Sequence, residues 1–273
     1  RDARGIRLTD AGIIALRHAQ IMGESLDAII SDASDEDSQI EGPIHLLTGD
    51  GLGPYWIAPR LAQFHKENPK IEVKLTISEG NPDIDNHDAD IAIQFEEPKR
   101  ADLVSKRMGV LHYMLYASQE YIDLYGEPVS LFDFDRHRLL THTSYVHQMT
   151  NWRPKTADLR RIVDISLLTN SAAALIKTCE SGGGIALLPS YIQIPFPKLI
   201  PIRLPELAPI QFWITYNERV RRLARGRIVL EFLRDCFDTR SIPWFRQDFV
   251  HPRPPGDEHS NLSNQLKERV FDK

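Results

Sequence analysis

The chain has 273 residues, enough for one large or two modest domains, and its 42% apolar and 26% charged residues suit a protein with a buried core. A formal charge of −5 and a pI near 6.1 exclude a broad basic face of the kind that grips nucleic acid, so any DNA contact has to be local or lie elsewhere. No apolar run approaches the ~20 residues of a membrane helix, and the opening RDARGIRLTDAG lacks the apolar stretch of an export signal; with Cys179 and Cys236 read as two reduced, buried thiols, a cytoplasmic protein is expected.

In chain order, residues 1–8 read as the end of a basic loop, with no Met at the start, and are expected to be the remnant of a larger N-terminal unit. Residues 9–34 read as a long helix. Thr9 or Asp10 supplies an N-cap, and Ala15, Ala19, Met22, Leu26 and Ile29 recur at alternating four- and three-residue steps. That is a heptad seam, which predicts pairing with a second copy of the chain. The acidic stretch up to residue 42 ends in Gly-Pro and reads as a solvated hinge.

From Pro43 the pattern becomes strand, turn, helix, strand. Ile44–Thr48 predicts a strand, GDGLG a turn, Tyr55–Glu67 a helix, and Ile71–Ile77 a strand of alternating apolar residues. The short apolar run Asp90–Gln94 suits a buried parallel strand. Val110–Ala117 predicts a strand that crosses into a second subdomain, where Leu139–His142, Ile162–Ile165 and Ile185–Pro189 read as strands and Ser171–Glu180 as a helix. Ile210–Tyr216 crosses back, and one helix over Val220–Phe237 closes the first subdomain; from His251 a polar tail follows. The expected division is 1–8, a helix and hinge over 9–42, lobe I over 43–115 plus 216–250, lobe II over 116–215, and a tail over 251–273. Such a chain predicts an α/β fold of two Rossmann-like lobes with a cleft between them.

Several stretches resemble one family. Arg4-Gly5-Ile6-Arg7-Leu8-Thr9-Asp10-Ala11-Gly12 is similar to the end of the winged helix-turn-helix of LysR-type regulators and the start of their linker helix. Gly51-Leu52-Gly53, Ile57-Ala58-Pro59-Arg60 and Asn68-Pro69-Lys70-Ile71 resemble the opening of their effector domain. Asp88–Ile93 and Gly182-Gly183-Gly184-Ile185, running on to Pro189, resemble two later signatures in the same order. The resemblance implies a two-lobed fold of the periplasmic-binding-protein type II kind, preceded by the linker helix. It also implies a transcription regulator that senses a small-molecule effector, acts on promoter DNA through the full-length protein, and works as a homodimer or homotetramer. Most of the winged helix-turn-helix is not seen here; Arg1, Arg4 and Arg7 are left as contacts to the DNA backbone, which position a protein without reading sequence. This chain by itself is therefore expected not to bind an operator selectively.

Ligands of open α/β folds sit beyond the carboxyl ends of parallel strands. Two turns fit: Thr48-Gly49-Asp50-Gly51-Leu52, and Thr169-Asn170-Ser171 at the start of a helix in the other lobe. The resemblance adds Phe95 and Thr141–His142. Asp50 has two readings, a helix cap or an acceptor aimed into the cleft that favours an ammonium, hydroxyl or amide donor; Asn170 and Ser171 can cap, bind, or do both. His137, His142 and His147 do not share a helical face and carry no acidic or cysteine cluster, so no metal is expected. No P-loop, GxSxG or HExxH is present, and no cofactor or catalytic site is expected. The rival reading is a solute-binding protein of the same two-lobe architecture.

Overall fold

A computed structural model of the chain describes residues 9–33, 40–78, 84, 89–98, 100, 102–145, 164–204 and 208–252. Arg1, Arg4, Arg7, His147 and the tail beyond residue 252 lie outside the described residues, as does the side chain of Ile29.

Helix α1 spans Asp10–Ala33. Thr9 caps it, its hydroxyl accepting the Gly12 N–H at 3.1 Å. The seam residues Ala15, Ala19, Met22 and Leu26 are all exposed, Met22 at 72% and Leu26 at 57%. Ile13, Ile14, Leu16 and Ile21 are exposed with them.

The body is one hydrogen-bonded sheet shared by two lobes. Strand β1 (Gly42–Gly49) lies parallel to β2 (Ile71–Ser78) and to β3 (Ile91–Gln94). Strand β9 (Ala208–Asn217) runs antiparallel to β3 and then to β4 (Leu103–Ser118). Strand β4 is the bridge: its first part pairs with β9, and its far end pairs with β7 (Ile185–Pro189) and β8 (Leu199–Pro201). Parallel to β7 lies β5 (Arg138–His142), and beyond it β6 (Asp164–Thr169). Helix α2 (Ala58–Glu67) belongs to lobe I; α3 (Gln119–Tyr125) and α4 (Ala172–Glu180) belong to lobe II. Helices α5 (Glu218–Arg222) and α6 (Ala224–Cys236) return the chain to lobe I.

Four differences from the sequence reading have local causes. The helix expected from Tyr55 opens as a π turn over Gly53–Ile57, closed by the Ala58 N–H to the Gly53 carbonyl. Pro59 has no N–H to give to the carbonyl four residues back, which favours the wider turn. The single C-terminal helix is two, because Leu223 is extended (φ −68°, ψ 132°) between α5 and α6. Gly226 makes the break possible: a Cβ there would stand 2.0 Å from the Val220 carbonyl oxygen. Strand β4 starts at Leu103, earlier than expected, and β6 runs to Thr169, later than expected. In both cases the extra residues are held by ladder partners remote in sequence and are half-buried or exposed, so they carry no clear apolar alternation.

The core gathers where the lobes meet. Phe245, in the short 3₁₀ turn Pro243–Phe245, is fully buried with its ring 4.9 Å from Trp56, 5.9 Å from Tyr191, 5.7 Å from Phe212 and 5.0 Å from Phe237. Trp56 is a lobe I side chain and Tyr191 a lobe II side chain, so this cluster ties the two together. The Trp56 indole N–H donates to the Cys236 carbonyl at 2.8 Å, satisfying its one polar atom.

Candidate functional site

The carboxyl ends of β1 and β3 and the start of α4 converge on one crevice. Gly49, Asp50, Gly51, Leu52 and Phe95 line it from lobe I. The wall is close-packed behind them: a Cβ at Gly49 would touch the Phe95 ring at 3.4 Å, an ordinary contact, and one at Gly51 would press on the Tyr191 hydroxyl at 3.2 Å.

Asp50 reaches across. Its Oδ2 accepts the backbone N–H of Ala172, the first residue of α4, at 2.6 Å, and stands 3.5 Å from Nε2 of the buried His142 at the end of β5. The carboxylate thus caps a helix, but a helix of the opposite lobe, where free N–H groups and the helix dipole favour negative charge. Its side chain keeps 30% exposure. Ser171 is the N-cap of α4, its hydroxyl accepting the Ala174 N–H at 3.3 Å. Asn170 directly precedes it and is exposed. Nδ1 of His142 is bonded to the Ser144 hydroxyl and backbone N–H, which fixes the ring facing Asp50.

Thr48 and Thr141 are fully buried. The Thr48 hydroxyl donates to the Gly49 carbonyl at 3.3 Å. The Thr141 hydroxyl has no hydrogen-bond partner among the described residues. The structure therefore gathers Gly49, Asp50, Gly51, Leu52 and Phe95 on the cavity wall, with His142 and the α4 start tied to it through Asp50.

The sequence reading missed Leu111, Tyr113, Ser144, Tyr145, Pro189 and Tyr191, which line the same cavity. Tyr113 and Tyr145 meet edge to face at 4.7 Å. Burial pushes the Tyr113 phenol up to about 12, and burial also raises Tyr145 and Tyr191 well above the usual phenol value, with Asp50 adding to the effect. All three are neutral donors at physiological pH. Nothing in the local sequence marks them; Tyr113 comes from β4, and Tyr145 and Tyr191 from the short turns that follow β5 and β7. As it stands the cavity is about 40 Å³, room for a few waters. Tyr55 of lobe I also meets Phe196 of lobe II edge to face at 5.2 Å.

Among the described residues no group of three His, Cys, Asp or Glu side chains is placed to hold a metal ion, and no helix is long and apolar enough to cross a membrane. Cys179 and Cys236 are buried free thiols.

Fold and crevice together define a two-lobed α/β receptor for a small molecule. A family profile described as the LysR substrate binding domain matches residues 37–238. The chain belongs to this family, and it is part of a LysR-type transcription regulator rather than an enzyme. Over 245 residues it is 29% identical to the HTH-type transcriptional activator TtdR of Escherichia coli (strain K12), covering 85% of this chain and 77% of that protein. Over 243 residues it is 24% identical to the HTH-type transcriptional regulator DmlR of the same strain, covering 87% of this chain and 79% of that one. In fold it resembles the regulatory domain of CrgA from Neisseria meningitidis, with a TM-score of 0.62 at 23% identity, covering 72% of this chain and 99% of CrgA's domain. Full-length AphB of Vibrio cholerae gives a TM-score of 0.64 at 19% identity, covering 85% of this chain and 81% of AphB.

Proposed function

We propose that this chain senses a small-molecule effector between its lobes and passes the result to other copies of itself through α1, inside a cytoplasmic, DNA-binding regulator. One observation carries the reading: Asp50 of lobe I is bonded to the α4 N-terminus of lobe II. A molecule that enters the crevice has to break or share that bond, so its binding energy acts directly on the contact between lobes. A ligand shifts an equilibrium only by its differential affinity for the two states, and here the two states differ at a named bond.

The effector sits among Thr48, Gly49, Asp50, Gly51, Leu52, Phe95, Thr141, His142, Asn170 and Ser171. Asp50 Oδ1 makes no hydrogen bond within the described residues. It is the acceptor open to an ammonium, hydroxyl or amide on the ligand, while acceptor atoms of the ligand would compete with Asp50 for the Ala172 N–H. The domain division at 8, 42, 115, 215 and 250 belongs to the same proposal, as do backbone contacts from Arg1, Arg4 and Arg7 and self-association through Ala15, Ala19, Met22, Leu26 and Ile29. A solute-binding protein has no use for an exposed heptad seam, and the relatives are regulators.

The test is a thermal-shift screen of polar metabolites followed by calorimetry on the hit. Asp50→Asn keeps the shape and removes the charge; it weakens hit binding at least about tenfold, the ~1.5–3 kcal/mol of a hydrogen bond to a charged group. An unchanged Kd sinks the assignment of Asp50.

A further inference from the structure

A second concavity lies on lobe I, away from the crevice, where the shared sheet meets α5 and α6. At about 240 Å³ it is much roomier than the crevice between the lobes. Its floor is apolar: Ile214 and Tyr216 of β9 are buried, and Met108 of β4 and Leu230 of α6 are half-buried. Its rim is cationic. Lys106, Arg221, Arg227 and Arg234 are all exposed around it, with Glu231 the one acid among the lining residues.

The cations are not equivalent. Arg234 is engaged by Glu231 at 2.7 Å and Arg221 by Glu218 at 3.4 Å, both exposed pairs of the kind that exchange readily with solvent. Arg227 is fixed in place, its Nη1 donating to the carbonyls of Arg221 and Arg222. Lys106 makes no ion pair among the described residues. It projects from the same sheet face as Ile214, its ladder partner.

The floor also carries an irregularity. The β4–β9 register slips between Arg107 and Gly109, which leaves Met108 as the extra residue of a β-bulge. Bulges re-aim a side chain and bend a strand. This one sits on the strand that joins the lobes, between the part paired with β9 near Leu103 and the part paired with β7 from Tyr113. Gly109 fixes the other side, since a Cβ there would stand 2.6 Å from the Phe245 carbonyl oxygen. Whatever touches Met108 therefore touches the bend of the bridging strand.

We propose that this concavity is a second ligand site, for a small organic anion: a carboxylate held by Lys106 and Arg227, on an apolar body seated against Met108, Ile214 and Tyr216. It lies on the lobe-bridging strand and shares no lining residue with the crevice at Asp50. The chemistry follows from the lining. A bare inorganic anion leaves the apolar floor wet, and an uncharged apolar molecule leaves the cationic rim unmatched.

The chain contains four methionines, so the methyl of Met108 is resolvable as one labelled signal. Phenylacetate, 4-methylvalerate and succinate are titrated into the 13C-methyl-methionine protein. The proposal expects a saturable shift of the Met108 signal with at least one of them, while Met114, buried in lobe II pairing, stays put. Lys106→Glu, an exposed change that removes no described ion pair, weakens that binding at least about tenfold. No saturable shift with any of the three overturns the proposal. So does an equal response to sulfate, or to phenylacetamide, the uncharged analogue. A Met108 shift that follows protein concentration instead of ligand shows the face docking on another copy, and overturns it too.

Discussion

Asp50 shows what sequence and structure each contribute to a residue. Its place after a strand and between glycines marked it as a cap or a ligand acceptor, and the structure makes it a cap of a helix 122 positions away in the chain. No local pattern carries that distance. The tyrosines of the crevice are harder still, because Tyr113 lies on β4, Tyr145 just after β5 and Tyr191 in the short turn after β7, three places that come together only in the folded sheet. Two predictions belong to this scale. Burial pushes both thiols, Cys179 and Cys236, up to about 12, so the thiolate needed for reaction is nearly absent at neutral pH. Ellman's reagent should find no thiol in the native protein and two in denaturant; prompt labelling of the native protein would contradict the packing. His137 is buried beside the Tyr121 hydroxyl at 3.3 Å, and burial lowers its pKa below the usual 6.5 despite the opposing pull of Asp133. The unfolded chain therefore takes up the proton first, and stability falls as pH drops from about 6.5 toward the lower folded value. His137→Gln should flatten that part of the acid slope in urea midpoints. An unaltered slope would place the acid sensitivity elsewhere.

At the scale of elements, periodicity gave the β1–α2–β2 unit, β5, β7 and α4 close to their observed bounds, because each has a buried face and a clear cap or turn. It failed where tertiary contacts decide. The apolar spacing of Val220, Leu223 and Val229 runs on as though α5 and α6 were one helix, and the break is visible only in the contact of Gly226 with the Val220 carbonyl. Gly226→Ala should cost several kcal/mol, since a 2.0 Å approach to backbone cannot be relieved by a rotamer change. At ~2–4 °C per kcal/mol for a protein of this size the loss is easily read as a fall in Tm; a fall under about 2 °C would mean that the helices shift at little cost. The 3₁₀ turn at Pro243–Phe245 went unforeseen, though Phe245 plugs the junction of the lobes. Helix α1 is the converse case: its seam was legible, and the structure leaves it exposed through Leu26. Light scattering with and without residues 1–41 tests its role. Self-association should drop on the deletion, and an unchanged mass would move the interface to the body.

For the whole molecule, the two-lobe plan was legible because strands and helices alternate twice with a crossing between. The bridge was legible only over Val110–Ala117, read as the crossing strand; the stretch of β4 before it, Leu103–Gly109, is half-buried or exposed and shows no clear alternation, so one sheet continuous through both lobes was not foreseen. With the sheet continuous, any movement of one lobe against the other has to bend a strand and exchange the contacts in which Asp50, Tyr55 and Trp56 face Ala172, Phe196 and Tyr191. Hydrogen exchange with and without the screening hit follows that contact most directly. The account predicts altered exchange in both Gly49–Leu52 and Ser171–Ala174, on opposite walls of one crevice. A hit that protects other segments and leaves both of these unchanged would contradict it.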